Sequence, residues 1–203
     1  NKTAPANESA EAKQVRIDKC NRDWQHLKIQ RRQIAAQFKL QTQLTQYREA
    51  CKQRSVFELQ AENHHPTKTL ARNLAAIGDA KPTTFHEPHH IIPGKGKYEQ
   101  IDMELCRLNL HGFGYGINDP INGVWLRNYE QNKQDDWATP ESPSHRPLHN
   151  ANYEDWISDQ FLNDNLPEEI FTNRLRIAKY KLKTGSHPAY ILEKGSSKSG
   201  RSA

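Results

Sequence analysis

No glycine precedes Gly78 in this chain, and no proline occurs between Pro5 and Pro66. Because these two residues are the strongest helix breakers, a stretch rich in Gln, Lys, Arg, Ala and Leu without them predicts two helices or one long bent helix. Its apolar residues fall on two successive rows at helical spacing, namely Trp24, Leu27, Ile34 and Phe38, then Leu40, Leu44, Tyr47 and Cys51. So few apolar positions do not make an independent core. We therefore expect this extension to pack on the following residues or on a partner.

Cysteine and long apolar runs are scarce as well. The three cysteines are far apart and form no CxxC pair, which argues against a disulfide framework or a zinc knuckle and predicts reduced thiols. No apolar run approaches the roughly 20 residues that span a bilayer, so no membrane partner is expected. There is no signal peptide and the first residue, Asn1, is not methionine. We expect the chain to come from a longer polypeptide or to have lost a leader.

The chain is polar and basic, and its charge is uneven. Mean hydropathy is -0.98 and 34% of residues are hydrophobic, below the typical globular share of roughly 45–50%, which predicts a small core. Residues 1–60 carry 12 Lys/Arg against 6 Asp/Glu, whereas the remainder carries 17 against 18. The basic front of the chain is compatible with attraction to a polyanion or simply with solvated helix faces.

Histidines carry the strongest chemical signal. His89 and His90 are adjacent in HEPHHIIPGKG, and His145 and His149 lie four apart in SHRPLHNANY. Adjacent side chains on an extended segment point to opposite faces, so one imidazole can bind a metal while its neighbour moves a proton. An H-x3-H spacing places two imidazoles on one side of a helix or helical turn.

This pattern indicates metal-assisted hydrolysis of a phosphodiester. His89, His145 and His149 are the predicted ligands of one divalent ion, whose identity (zinc, nickel, magnesium or manganese) is left open. His90 is the predicted general base. Asn122, at the start of the second predicted strand, is expected to orient His90 or to complete the metal shell.

Each feature has a plainer interpretation. A pair of histidines also occurs at His64 and His65, where no function is expected, and an H-x3-H pair more often lies on a surface or caps a helix. The combined order of the histidines is what favours a metal site. His86 is expected to be a loop residue without a defined role, and His111 to cap its helix.

The remaining segments predict an α+β chain that is mostly helical. Helices are expected at TLARNLAAIG, with Thr67 or Thr69 as its cap, at YEQIDMELCRLNLHG, with Ile101, Leu105, Leu108 and Leu110 facing inward, at YEDWISDQFL and at PEEIFTNRLRIAKYKLK. Strands are expected through Ile91-Ile92 and at GVWLRN. The predicted domains are a basic helical extension at 1–65, a catalytic domain at 66–193 and a disordered tail at 194–203.

The stretch from about Leu70 to Trp156 resembles the AHH family of nuclease domains in the HNH/endonuclease VII superfamily, which has the ββα-metal fold. The segments that carry the likeness are RNLAAIG, HHIIPGKG, LNLHGFGYGINDPINGVWL and HRPLHNANYEDWI. Pro88 stands where the family name has alanine. Tyr153 lies one place later than expected, and we favour His149 over His145 as the firmer ligand.

The resemblance implies a ββα-metal core in which His89, His145 and His149 hold the metal and His90 activates water. It also implies a metal-dependent, nonspecific DNA endonuclease that acts as the toxin domain of an interbacterial effector. Such a domain belongs to a larger delivery polypeptide, is injected by a contact-dependent or type VI system into the target-cell cytoplasm, and is neutralised by an immunity protein. The extension is then expected to contact DNA, the delivery machine or the immunity protein.

Two other functions stay open at this point, an RNase on the same scaffold and a non-enzymatic nucleic-acid-binding module with a structural zinc. Base readout is not expected for the nuclease, because only the backbone takes part in catalysis. Five basic residues are candidates for phosphate contact, with solvated charge as the alternative for each. They are Lys95, Lys97, Arg127, Arg146 and Arg174.

Overall fold

A computed structural model describes residues 8–134 and 136–193. The helices are α1 (Ala10–Gln53), α2 (Val56–Gln60), α3 (Lys68–Ala76), α4 (Gln100–Gly112), α5 (Ala151–Phe161) and α6 (Glu168–Thr184), and the strands are β1 (His86–His90) and β2 (Gly123–Arg127). Short 3-10 turns lie at Pro120–Asn122, Glu130–Lys133, Arg146–Leu148 and Ala189–Leu192. The fold is mostly helical α+β, as predicted, and β1, β2 and α5 give the expected ββα order. The tail predicted to be disordered, 194–203, lies outside the described residues.

The chain divides into two compact units, residues 1–40 and 41–203. In the first, the described residues belong almost entirely to α1. The first predicted apolar row is solvent-exposed there: Trp24, Leu27, Ile34 and Phe38. No helix in the described ranges combines the length and the apolar character needed to cross a membrane.

In the second unit, the end of the predicted extension packs on the residues that follow it. Leu44 and Cys51 of the second apolar row are buried. Arg48 makes two hydrogen bonds to Asp119, with N···O distances of 2.8 and 3.0 Å. Two helices or one long bent helix were expected, and the structure has two, because the chain breaks at Ser55, which forms a capping box with Glu58 at the start of α2. The boundary at residues 65 and 66 stays a prediction.

The two strands form an antiparallel pair in which His90 faces Gly123 and His89 faces Val124. The expected strand through Ile91-Ile92 is wrong, because β1 ends at His90. There the side chain of Asn122 binds both the amide and the carbonyl of Ile92, which turns the chain away from the sheet. Ile91 and Ile92 are buried in the core instead.

The main core lies between the sheet and α4, α5 and α6. Helix α4 contributes Met103, Cys106 and Leu110, all fully buried. The expected inward face is wrong at Ile101, which is 75% exposed, and at Leu105. Helix α4 carries two apolar rows, and the row that contains Met103 is the one buried in the core, whereas Ile101 and Leu105 face solvent.

Helix ends follow the sequence signals closely. Asn150 caps α5 by accepting a hydrogen bond from the amide of Tyr153. Gly78 and Gly185, after α3 and α6, have positive φ angles of 81° and 70°, a conformation that favours glycine. Thr67 takes the N-cap position of α3 without a side-chain bond. The start of α5 fixes Tyr153 and the histidines just before it.

Candidate metal centre and adjoining histidine

His89, His145 and His149 come together, although the strand and the turn that carry them are far apart in the sequence. Each offers a ring nitrogen, and these atoms all lie within 4.8 Å of one another. The Nε2 atoms of His145 and His149 are 3.0 Å apart, close to the roughly 3.3 Å expected for two ligands on one tetrahedral ion with bonds of about 2.0–2.1 Å. Two facing lone pairs at that distance repel each other unless a cation or a proton lies between them.

The outer contacts of the rings fix which nitrogen faces the cluster. The hydroxyl of Tyr153 donates to the carbonyl of Ile91 at 2.9 Å and so accepts from Nε2 of His89 at 3.0 Å. That leaves Nδ1 of His89 with a free lone pair. Nδ1 of His145 donates to Glu87 at 3.0 Å, which leaves its Nε2 for the cluster. Such outer acceptors are typical partners of metal-bound histidines.

All three rings are held in the neutral form that metal binding requires. Burial is the main cause in each case. It lowers the pKa of His89 well below its ordinary value, the pKa of His145 to about 4, and the pKa of His149. The three imidazoles therefore fit a divalent ion, and the described residues bring no other such group of ligands together.

His145 and His149 stand on a helical turn rather than on α5. They flank the 3-10 turn Arg146–Leu148, just before that helix begins. The ring centroids of the two histidines are 4.8 Å apart, and that of His145 is 4.9 Å from His89. The predicted H-x3-H juxtaposition thus arises from one tight turn, which Pro147 and the Asn150 cap stabilise.

His90 points to the opposite face of β1, as adjacent strand residues do. Its Nε2 lies 3.1 Å from Oδ1 of Asn118. The amide nitrogen of Asn118 already donates to Oε1 of Glu62 and to the carbonyl of Asn63, at 2.8 and 3.0 Å. Oδ1 is therefore the atom facing His90, and Nε2 of His90 carries the proton. Its Nδ1 keeps a lone pair.

The expected role of Asn122 is wrong, because its amide does not reach His90 or the three histidines. The side chain is fully buried. Its hydrogen bonds go to backbone atoms of Ile92 and Ile117. Asn122 shapes the end of the hairpin, and Asn118, earlier in the same segment, has the place beside His90. Because both belong to one turn-rich segment, spacing alone did not separate them.

A cleft opens beside the histidines, and Lys95 and Lys97 are on its lining. Both lysines are solvent-exposed. The loop that carries them is held by Glu154, whose carboxylate accepts hydrogen bonds from the amides of Lys97, Tyr98 and Glu99 at 2.7, 2.9 and 2.6 Å. Arg146 is exposed next to His145, 3.6 Å from Glu87. These three cations are accessible to a ligand at the site.

Arg127 is not available in that way, which corrects one of the predicted phosphate contacts, whereas the contact predicted for Arg174 stays a prediction. Arg127 is 3% exposed. Its Nε lies 3.1 Å from the buried carboxylate of Asp136, so the guanidinium stabilises the fold through a buried ion pair. Arg174 lies on α6, where it donates to the carbonyl of Gln160 at 2.6 Å, and it is not part of the cleft lining.

Two further histidines line the same cleft, although no function was expected for them. His64 and His65 precede α3, and the ring centroid of His64 is 6.3 Å from that of His90. The sequence signal was the second HH pair itself. His86, which was expected in a loop, belongs to β1 and is buried between the hydroxyls of Thr83 and Thr139, and it is not one of the three clustered histidines.

The model of the AHH family, a nuclease family of the HNH/ENDO VII superfamily with conserved AHH, matches residues 70–168. No curated protein and no solved structure matches the chain. The matched segment contains β1, β2 and the three clustered histidines together with His90. Over residues 70–168, a little under half of its length, the chain is therefore similar to the AHH family of nuclease domains.

Proposed function

We propose that this protein is a metal-dependent endonuclease that cleaves the phosphodiester backbone of DNA with little sequence preference. One observation carries the proposal: three neutral imidazoles converge on one point, and a fourth, His90, lines the same cleft with its Nδ1 uncommitted among the described residues. Ligands of this kind leave the charge of a divalent ion undiminished, and three of them leave coordination positions open.

Each residue has a distinct part in cleavage. His89, His145 and His149 would hold the ion, which when bound supplies charge neutralisation at the phosphoryl and leaving oxygens. His90 accepts a proton from the attacking water at Nδ1. Asn118 keeps that ring in the required tautomer by accepting from Nε2, at 3.1 Å. Water attacks phosphorus, the bond to the leaving oxygen breaks, and the strand is cut.

Backbone recognition fits the charges around the cleft. Lys95 and Lys97 are exposed on its lining and can pair with phosphates. Phosphate contacts carry no sequence information, so little base preference is expected. A structural zinc site would be closed by a fourth protein ligand, and within the described residues the cluster has three. This favours an enzyme over a non-enzymatic binding module.

We propose further that the domain is the toxin part of an interbacterial effector, delivered to the cytoplasm of a target cell and neutralised by an immunity protein. The family likeness supports this proposal. Expression of the wild type in a bacterial cytoplasm is expected to degrade the chromosome and stop growth, and the His90→Ala form is expected to be tolerated. Equal toxicity of the two forms contradicts the nuclease toxin.

The central experiment is a plasmid-nicking assay with a chelator and with several divalent metals in turn. Supercoiled plasmid is expected to become nicked and linear with metal, and to stay intact with chelator. Total RNA is incubated in parallel. Cleavage of RNA alone would make the protein an RNase, and no cleavage of either substrate with any metal would remove the enzyme proposal.

A further inference from the structure

We infer that His64 and His65 are substrate-binding residues, which donate hydrogen bonds to a backbone phosphate of the nucleic acid next to the one that is cut. The inference rests on the proposed nuclease function and extends it. Both residues lie outside the segment 70–168 that matches the family. The site would therefore include substrate-binding residues that lie outside the segment similar to the nuclease family.

The first support is position. His64, His65 and His90 all line the cleft that also contains the three clustered histidines, His89, His145 and His149. The ring of His64 stands edge-on to the ring of His90, with centroids 6.3 Å apart, and the His64 and His65 centroids are 4.5 Å apart. A nucleic acid whose scissile phosphate lies at His90 brings a neighbouring phosphate within reach of this pair.

The second support is that packing holds the His64 ring in a defined place. A Cβ atom on Gly94 would overlap that ring, so only glycine at this position of the PGKG loop leaves room for it. The guanidinium of Arg107 ties the loop to the segment before His64. It donates to the carbonyls of Gly94, Gln60 and Glu62, with distances of 2.7, 2.7 and 2.9 Å.

The same segment is joined to His90 by hydrogen bonds. Asn118, the partner of His90, donates to Glu62 and to the carbonyl of Asn63. Tyr47 of α1 donates to Glu62 in turn, at 2.9 Å. Residues 62 and 63 are thus joined to His90 through Asn118, and they hold the segment that leads into His64 and His65 beside it.

The third support is unused donor capacity. Among residues 8–134 and 136–193, neither imidazole has a hydrogen-bond partner, although both rings stand at the cleft. A neutral imidazole has one N–H donor, and a phosphate oxygen is a strong acceptor for it. The nearby acid Glu154 is occupied by three backbone amides, while Lys95 adds positive charge. The surroundings therefore favour an anion.

The test measures binding and turnover separately. The double variant His64→Asn/His65→Ala is compared with wild type and with His26→Ala, which changes an exposed histidine of α1. The dissociation constant for a short fluorescent DNA duplex is measured by anisotropy with all proteins carrying His90→Ala and with chelator present. Steady-state cleavage of the same duplex, by proteins that retain His90, gives KM and kcat.

We expect the dissociation constant and KM of the double variant to rise about tenfold or more, since hydrogen bonds to a charged phosphate are lost. The kcat should stay within about threefold of wild type, and His26→Ala should change nothing. If the double variant melts early, His65→Ala alone carries the test, because that ring is exposed. It is expected to weaken binding about fivefold.

Two results overturn the inference. One is unchanged binding and KM in a folded variant. The other is a fall in kcat at constant KM, which would mean that the pair acts through His90 and not on the substrate. These results differ from failure of the proposed function, in which the wild type cleaves no nucleic acid with any metal.

Discussion

Nδ1 of His145 lies 3.0 Å from Oε2 of Glu87, on strand β1. The carboxylate takes the ring's N–H and turns Nε2 toward His149 and His89. This contact makes Glu87, which lies between His86 and Pro88 on the strand, a support for the candidate metal site. It also allows a test by a substitution at Glu87, which leaves all three histidines of the cluster in place.

Glu87→Ala is expected to lower the affinity for a divalent metal about 10–100-fold, the usual effect of losing the partner of a metal-bound histidine. His149→Ala, which removes a proposed ligand, should lower it further. Affinity is measured by titration calorimetry of metal-free protein, with Glu49→Ala as a control because Glu49 is an exposed acid on α1. If Glu87→Ala and His149→Ala both bind as tightly as wild type, the metal site lies elsewhere.

His90→Ala is expected to abolish cleavage while metal content and melting temperature stay near the wild-type values. The reason is that His90 lies on the face of β1 opposite His89 and bonds to Asn118 rather than to the cluster. Metal content is measured by elemental analysis beside the nicking assay. Loss of metal together with activity would show instead that His90 is a ligand.

Asn118→Ala and Asn122→Ala are expected to separate positioning from folding. Asn118→Ala should lower kcat about tenfold or more even where the protein is fully folded, since Nε2 of His90 loses its acceptor, and it should lower stability as well, because Glu62 and the carbonyl of Asn63 lose a donor. Asn122→Ala should mainly lower stability, by about 2–4 kcal/mol, because three buried backbone groups lose their partner. Urea unfolding and cleavage rates below the melting range measure the two effects. Equal loss of kcat at equal stability would restore the catalytic interpretation of Asn122.

These two asparagines show where sequence reasoning succeeds and where it ends. The local rules of strand and turn geometry were sufficient to predict that His89 and His90 point to opposite faces of a strand. They also predicted that one turn brings His145 and His149 together. They named Asn122 as the residue beside His90, whereas Asn118 of the same GINDPING segment is its hydrogen-bond partner. Which amide reaches His90 depends on how that loop packs on Glu62 and Asn63, far earlier in the chain, and no local pattern contains that information.

Tertiary packing also explains the other differences. On α4, the rows of Ile101 and Met103 are both apolar enough to face inward, and only the position of the core decides between them. Arg127 has the sequence pattern of a surface cation at the end of an apolar strand, but its partner Asp136 lies in a loop that folds back over the strand. The place of His64 depends on its packing against Gly94, a residue distant from it in the sequence.

Arg127→Ala is expected to destabilise the fold by about 3 kcal/mol, because the buried carboxylate of Asp136 loses its cationic partner and keeps only the hydrogen bonds from Ala138 and Thr139. Lys95→Ala should instead leave stability unchanged and weaken DNA binding, most strongly at low salt. Denaturant unfolding and anisotropy measured on both variants check this. A stable Arg127→Ala protein with weak DNA binding would return Arg127 to the phosphate contacts.

Acid is expected to destabilise the metal-free protein, in part through His111. Nδ1 of His111 donates to the carbonyl of Tyr115 at 2.7 Å, and its Nε2 accepts from Nε of Arg107 at 3.0 Å. Burial, together with the charge of Arg107, lowers the pKa of His111 to about 4. The folded protein thus keeps this ring neutral at pH values where the unfolded chain, with a histidine pKa near about 6.5, already binds a proton.

Stability from this ring is therefore fully present above about pH 6.5 and is lost as pH falls from there to about 4. In that window the unfolded state binds up to one more proton than the folded state at His111, which contributes a slope of up to about 1.4 kcal/mol per pH unit. His111→Gln keeps a donor and an acceptor but does not titrate, so its urea-unfolding free energy should depend on pH less steeply by up to that amount. The exposed replacement His26→Gln should leave the slope unchanged, and chelator keeps metal linkage out of the measurement. If His111→Gln and wild type lose stability in parallel across this window, the proton is not excluded by the contacts of His111 with Arg107 and Tyr115.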